Sequence, residues 1–186
     1  MPSKLRFACA GDYPAMAAVY RPYVEDTTIS FEYAAPSSEQ FAARMRALDG
    51  RFPVIVCCDG DEIIGYAYAS PAFERQAYCW CADISVYVKQ GKLRQGCGRR
   101  LVTAVCDILK NLGYRRAYAV ITAENVSSRA FHIALGFSAV AEFPEQGYKF
   151  GRWLGVAWYE KELCGGEVCA QFPRAFNVDE FDLSEY

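Results

Sequence analysis

The sequence predicts an α/β domain, because apolar runs of strand length alternate with segments of helical periodicity along most of the chain. Three stretches carry that reading. Residues 83–88 form an apolar run that passes through a basic, glycine-containing loop at 89–98 into an amphipathic helix over 99–112. An Asp59-Gly60 turn separates the apolar runs 53–58 and 62–70, which predicts a hairpin. A short apolar run at 117–122 leads into a second helical segment from Asn125 to about Leu135, which Gly136 ends.

Taken in order, residues 5–10 are a short apolar segment, an edge or first strand. Asp12 is placed to cap a helix with Pro14 in its first turn, and Met16, Val19, Tyr20, Tyr23 and Val24 make its apolar face. Residues 27–33 have strand-like composition but run into Ala34, Ala35, Pro36, Ser37 and Ser38, which predicts an extended connector. Ser38, with Phe41, Met45 and Leu48 behind it, starts a second amphipathic helix. After the hairpin, a connector over 71–76 leads to a strand over about 77–88. Leu101, Val105, Ile108, Leu109 and Leu112 share one face of the next helix, and Gly113 stops it. Residues 137–143 and 153–163 form the last two strands, joined by a connector over 144–152, with Trp153 in the core. No internal repeat is visible. The division this predicts is a domain over 1–163 and an acidic tail over 164–186. From Glu167 onward that tail holds five acids and one base, keeps aromatic residues, and either wraps the domain or stays disordered.

Composition narrows the function. A chain of 186 residues suits one domain with a real core. Aromatics at 15%, many of them tyrosine, suit a pocket with flat walls and polar tips. A formal charge of only −2 argues against nucleic acid as the partner. No run is long enough to cross a membrane, and the N-terminus lacks the apolar core of a signal peptide. The nine cysteines include no Cys-x-x-Cys pair and there is one histidine, which argues against structural zinc and for reduced thiols in a cytoplasmic protein.

The loop is the first chemical signal. Residues 89–100 carry five basic side chains, Lys89, Lys92, Arg94, Arg99 and Arg100, and no acid. Backbone N–H groups and a helix N-terminus directly after a strand make a seat for a pyrophosphate, and Gly96 and Gly98 let backbone approach it. The loop lacks the Lys-Ser/Thr ending of a P-loop and the third glycine of a dinucleotide fingerprint. Asn125 is a good helix cap, with Ser128 at the third helical position.

Ser85-Val-Tyr-Val88, Arg94-Gln-Gly-Cys-Gly-Arg99 and Ala123-Glu-Asn-Val-Ser-Ser-Arg-Ala-Phe-His-Ile-Ala-Leu-Gly-Phe137 occur in this order with a long helix between the last two. In these segments the chain resembles the GNAT N-acetyltransferases. With Gly147-Tyr-Lys-Phe-Gly-Arg-Trp153 added, it looks most like the branch that acetylates phosphinothricin, methionine sulfone and methionine sulfoximine. The resemblance spans about residues 5–163. It implies a mixed, mostly antiparallel sheet flanked by helices, with two neighbouring central strands splayed apart. It also implies acetyl-CoA as donor substrate, a small-molecule amine as acceptor, no metal, and a homodimer.

The resemblance places the cofactor on Val86, Tyr87 and Val88, on Arg94, Gln95, Gly96, Cys97, Gly98 and Arg99, and on Asn125, Ser128 and Phe131. The family's loop begins with a polar residue where this chain has Leu93. The branch's general base is a glutamate two residues before the Ser/Thr-Val-Tyr-Val segment, and here that position is Asp83. His132 has a supporting place near the amine, or is a structural hydrogen-bonding residue. Phe31, Glu32, Arg75, Tyr78 and Lys149 are the acceptor-pocket candidates, since an anionic amino-acid analogue wants cations and an aromatic wall. Two alternatives stand beside this reading: the same fold acting on a polyamine, another amino acid or a protein N-terminus, and a non-catalytic acyl-CoA-binding module.

Overall fold

Local sequence decides most elements of the computed structural model, which describes residues 3–165 and 171–186. Strand β1 (Lys4–Phe7) leads through a 3₁₀ turn into helix α1 (Tyr13–Glu25). Asp12 does not cap α1 with its side chain. Its carboxylate accepts two Arg6 N–H groups at 2.6 and 2.7 Å and the Cys9 N–H at 2.8 Å, which ties the turn back to β1. That Arg6 pairing holds the Asp12 carboxyl down at about 2. Helix α2 (Ser38–Arg46) begins in a reciprocal capping box, with Ser37 Oγ accepting from Gln40 N–H and Gln40 Oε1 from Ser37 N–H.

Strands β2 (Val54–Asp59) and β3 (Glu62–Pro71) form the hairpin expected at Asp59-Gly60. Strand β4 (Cys81–Val88) starts later than expected, because residues 76–78 make a 3₁₀ turn. The Trp80 indole N–H donates to the Gln171 carbonyl at 2.8 Å, so the apolar residues ahead of Cys81 face the tail rather than a strand neighbour. Helix α3 (Cys97–Leu112) buries the expected face, including Leu101, Val105, Leu109 and Leu112. Each such side chain contributes about 1.5–3 kcal/mol by leaving water. Strand β5 (Arg116–Thr122) and helix α4 (Val126–Ala134) follow. The expected connector over 144–152 is mostly strand: β6 (Ser138–Lys149) and β7 (Arg152–Glu162) continue as one hairpin arm. Its register slips between Phe143 and Gly147, and it closes at Phe150-Gly151, both in the left-handed region. Trp153 lies on that arm, 60% exposed rather than in the core.

The sheet has seven strands in the order β1-β2-β3-β4-β5-β7-β6. All neighbours are antiparallel except β4 and β5, which run parallel and pair only at Cys81–Arg116, Ala82–Ala117 and Asp83–Tyr118. Past Asp83 the two strands part. This is the splay that the family resemblance implied.

Helices α1 and α2 cover one face of β2–β4, where Tyr20 and Tyr23 meet the Tyr87 ring at 4.8 and 5.3 Å and Phe41 meets Tyr66 at 6.0 Å. Helices α3 and α4 cover the opposite face, where Ala117, Ala119 and Tyr159 are buried. Residues 171–186 wrap the domain. Phe176 packs between Phe7 and Phe181, Arg174 N–H donates to the Leu112 carbonyl at 2.8 Å, and Arg100 holds the Tyr186 carbonyl at 2.6 Å. Glu167 of the acidic tail lies outside the described residues.

Candidate active site

The gap between β4 and β5 has a polar lining set by strand alternation. Lys89 N–H donates to the Ile64 carbonyl at 2.8 Å, and the Cys81 carbonyl accepts from Ala72 at the other end of β4. Odd-numbered residues of β4 therefore spend their backbone groups on β3. The backbone groups of Ile84, Val86 and Val88 turn toward β5, which has moved away. The Tyr23 hydroxyl, from α1, takes the Val88 carbonyl. Its N–H and the groups of Val86 line the gap.

The gap ends at α3. Gly96 precedes the helix in the left-handed region at φ 85°, a conformation that favours glycine and turns the following N–H groups toward the gap. The first intrahelical bond joins Arg100 N–H to the Gly96 carbonyl at 3.1 Å, so the N–H groups of Cys97, Gly98 and Arg99 have no helical partner. Lys89 and Lys92 are paired with Glu62 and Asp59, and Arg100 with Tyr186 and Ser3. Arg94 and Arg99 are left exposed beside the loop, with no partner among the described residues, and Leu93 is exposed too. Phe131 reaches across from α4: a Cβ at Gly98 would stand 3.5 Å from its ring and 3.6 Å from Val88. Asn125 caps α4 by accepting the Ser128 N–H at 3.1 Å through Oδ1, and its amide N–H groups have no partner among the described residues.

The structure thus brings Val86, Val88, residues 94–99, Asn125, Ser128 and Phe131 around one opening. Tyr87 is the exception. Its ring points to the opposite face, enclosed by Tyr20, Tyr23 and Tyr66, and its backbone belongs to β3. The donor set fits an extended amide-bearing arm ending in a pyrophosphate.

Asp83 sits at the vertex of the splay, on the face that carries α1 and α2. Its Oδ1 is shielded from solvent and has no hydrogen-bond partner among the described residues. Burial pushes its carboxyl up to about 7, offset in part by the Ile84 N–H. Across the ladder, Asp83 lies opposite Ser70 on β3 and Tyr118 on β5, and β5 in turn sets Val120 opposite Trp158. Paired residues share a face. Beyond the cover of α1 and α2, this face presents an aromatic wall: Phe73 lies 5.9 Å from Tyr118, 6.0 Å from Trp158 and 4.8 Å from Tyr78. Sequence reasoning named Tyr78 but missed Phe73, Tyr118 and Trp158, although the period-2 spacing of Tyr118 and Val120 was a signal.

The other acceptor candidates divide. Glu32 is fixed by two Arg44 N–H groups and by the Tyr20 hydroxyl at 3.0 Å. Burial pushes its carboxyl up, but Arg44 and Tyr20 outweigh that and leave it below its usual range. Phe31 packs against Gly147, where a Cβ would stand 2.4 Å from the ring, so the hairpin arm closes over the 27–33 loop only because residue 147 is glycine. Arg75 and Tyr78 line a cavity of about 680 Å³ at the start of β4, with Phe73, Cys81 and the tail residue Phe172.

Lys149 has a different task from the one expected. Its ammonium donates to the carbonyls of Val24, Thr27 and Ser30 at 2.7, 2.9 and 2.6 Å, and those three bonds use its three N–H groups. His132 is buried on α4. Its Nδ1 donates to the Ser128 carbonyl at 2.8 Å, which leaves the lone pair on Nε2, shielded and without a partner among the described residues. Burial lowers its pKa, so the ring is held neutral between Phe131 and Phe137.

A parallel pair that opens beside a glycine-preceded helix N-terminus, with a buried carboxyl at its vertex, is the arrangement that the resemblance to the GNAT N-acetyltransferases implied. The acetyltransferase (GNAT) domain model matches residues 5–158, and the chain belongs to that family of N-acetyltransferases. It is 35% identical over 156 residues to a phosphinothricin N-acetyltransferase of Streptomyces coelicolor, covering 82% of this chain and 91% of the relative. An L-methionine sulfoximine/L-methionine sulfone acetyltransferase of Salmonella typhimurium is 29% identical over 161 residues, with 86% and 94% covered. The crystal structure of a GNAT superfamily phosphinothricin acetyltransferase from Sinorhizobium meliloti, in complex with acetyl-CoA, superposes with a TM-score of 0.85 at 34% identity. That match covers 93% of this chain and 94% of the other. The protein is an acetyl-CoA-dependent N-acetyltransferase of the phosphinothricin and methionine sulfoximine branch.

Proposed function

We propose that the protein moves acetyl from acetyl-CoA to the α-amine of a small amino-acid analogue of the phosphinothricin, methionine sulfone or methionine sulfoximine type, directly, with both substrates bound together. The observation that carries this is the buried Asp83 carboxyl at the vertex of the splay, whose Oδ1 has no hydrogen-bond partner among the described residues. An acceptor amine is mostly protonated at neutral pH and must lose a proton before it attacks. Asp83, poised near 7, takes that proton directly or through one water. The Val88 N–H faces the gap and receives the negative charge that develops on the reacting carbonyl. Backbone N–H groups of Cys97, Gly98 and Arg99 seat the pyrophosphate, Arg94 and Arg99 supply charge in place of a polar residue at Leu93, and Asn125 and Phe131 fix the arm. Holding both substrates in one opening supplies much of the remaining rate. Acetyl-CoA brings the activated thioester, and nothing further is required of a metal.

On the acceptor side, Phe31, Glu32, Arg75 and Tyr78 work with Phe73 and Trp158. Glu32 is ionised and oriented by Arg44, which suits a contact to the ammonium of an amino acid. His132, held neutral with Nε2 unprotonated, positions Phe131 against the loop. Thiol release from acetyl-CoA measured against an amine panel tests the substrate class. Turnover is expected on methionine sulfone and phosphinothricin, and turnover confined to polyamines or peptide N-termini would overturn it.

The proposal extends to a cytoplasmic homodimer. The β6–β7 arm leaves Val140, Phe143, Phe150 and Trp153 between 44% and 60% exposed, more apolar surface than an isolated arm favours. The eight described cysteines are all unpaired, as a reducing compartment would leave them. Light scattering on the purified protein is expected to give twice the chain mass, and a monomer at micromolar concentration would overturn the dimer.

A further inference from the structure

We propose that the tail is a wall of the acceptor pocket. Residues 172–175 enclose a subsite at the start of β4, and Arg51 beside them makes it prefer an acceptor side group ending in an anion over a neutral sulfone. The inference rests on reading Asp83 and the aromatic wall as the acceptor side. The cavity of about 680 Å³ at the start of β4 includes Phe73 of that wall. It also includes Cys81, two positions before Asp83, and alternation along β4 puts both side chains on one face. Two strand positions span about 7 Å. The α-carboxylate of an amino acid sits next to its amine and stays near Asp83, whereas the side group is long enough to reach the cavity.

Hydrogen bonds fix this wall to three other parts of the chain. The Trp80 indole donates to the Gln171 carbonyl at 2.8 Å, and its ring stacks on Phe172 at 5.3 Å. Arg174 N–H donates to the Leu112 carbonyl at 2.8 Å, and Phe176 N–H to the Gly50 carbonyl at 3.1 Å. The tail thereby ties the β3–β4 connector, the end of α3 and the residue before Arg51 into one enclosure. The wall lies outside residues 5–158, the part matched by the acetyltransferase domain model. Specificity can vary there without touching the groups that transfer acetyl.

The charge of the enclosure comes from Arg51, Arg75 and Arg174, with Glu74 as the acid among the described lining residues. Arg174 is spent on Glu180 at 2.9 Å and Asn111 Oδ1 at 2.8 Å. Arg51 and Arg75 are exposed and have no hydrogen-bond or ion-pair partner among the described residues. The Arg51 guanidinium lies over the Phe52 ring, 5.5 Å from its centre, and Phe52 is buried against Tyr114 at 5.5 Å. The ring that carries the cation is therefore held in place. Two free guanidiniums against one carboxylate leave the enclosure positive. A phosphinate or carboxylate at the end of a side chain accepts two N–H groups from such a fork with full charge assistance, and a sulfone brings no charge to it.

The test compares kcat/KM for phosphinothricin, whose side group is a phosphinate, with that for methionine sulfone, whose side group is neutral. It uses the full-length protein, Arg51→Gln and Arg51→Lys. The ratio of the two values is expected to fall about tenfold in Arg51→Gln, as loss of a charge-assisted hydrogen bond gives, and to recover in part in Arg51→Lys. A merely structural Arg51 would lower both substrates together and leave the ratio alone. Arg51 is exposed, so neither variant should move Tm by more than about 2 °C. Amide exchange over residues 171–176, followed by mass spectrometry, reads the wall directly. Phosphinothricin at about ten times its Kd should slow that exchange up to about tenfold, since opening the wall releases the ligand. An unchanged ratio in Arg51→Gln, or tail exchange indifferent to phosphinothricin, would overturn the proposal. Wild-type protein that turns over neither analogue counts against the amine reading instead, and tail exchange still decides the subsite.

Discussion

Asp83→Asn lowers kcat/KM by about 10²–10⁴-fold, the usual contribution of a positioned general base, while the folded protein becomes more stable at alkaline pH. Both halves follow from the same burial. A carboxyl raised to about 7 is half-ionised near neutrality, so wild-type kcat/KM should climb as pH rises through 7 and then flatten. The variant loses that limb and keeps only the dependence set by the amine itself. For stability, the native state holds a proton on Asp83 between the ordinary carboxylate range and about 7, whereas the unfolded chain has released it. Native binds more protons than unfolded across that window, so wild-type stability falls as pH rises through it and stays low above it. Asparagine carries no charge to bury. At pH 8 its Tm is expected above wild type by about 3 °C or more, an effect of at least about 1 kcal/mol at this chain length, and at pH 4 the two should coincide. A variant that is less active yet more stable at pH 8 has not lost activity by unfolding. Unchanged kcat/KM, or a wild-type profile flat around pH 7, would remove Asp83 from the proton transfer.

How much of this was legible in the sequence depends on how local each cause is. The α2 capping box, the Asp59-Gly60 hairpin and the α3 apolar stripe are settled by residues a few positions apart, and all were readable. The length of the hairpin arm was not. Pro144 to Gly147 has turn composition, but the strand absorbs it as an irregularity and turns at Phe150-Gly151, which lacks the usual Asn-Gly signal. The resemblance put Val86, Tyr87 and Val88 on the cofactor together, and it takes the register and the packing of α1 to show that the Tyr87 ring lies on the opposite face. Trp80 and Phe172 meet only through the fold. Asp83 was found through family resemblance. What the residue needed to be, a shielded carboxyl at the point where two strands part, became visible only with the sheet register.

Lys149 is where local reading and structure differ most, and substituting it separates the two. Lys149→Met is expected to destabilise the protein by about 3 kcal/mol, lowering Tm by roughly 6–12 °C. Lys149 is 3% exposed, and its ammonium holds three carbonyls from the end of α1 and the loop behind it, which lose that donor once the cation is gone. Ser30, one of those three, also bonds the Tyr20 hydroxyl at 2.6 Å, and Tyr20 in turn holds Glu32. Loosening the loop therefore raises KM for the amine while leaving the affinity for acetyl-CoA unchanged, because the gap and the α3 N-terminus lie on other elements. Lys149→Arg discriminates further. A planar guanidinium cannot place its N–H groups on three carbonyls gathered around one point, so arginine should rescue neither Tm nor KM. Were Lys149 instead an exposed cation reaching an acceptor anion, arginine would restore KM and neither substitution would move Tm. Thermal unfolding and acceptor kinetics on the two variants decide between a cation that binds substrate and one that holds the loop on which Phe31 and Glu32 stand.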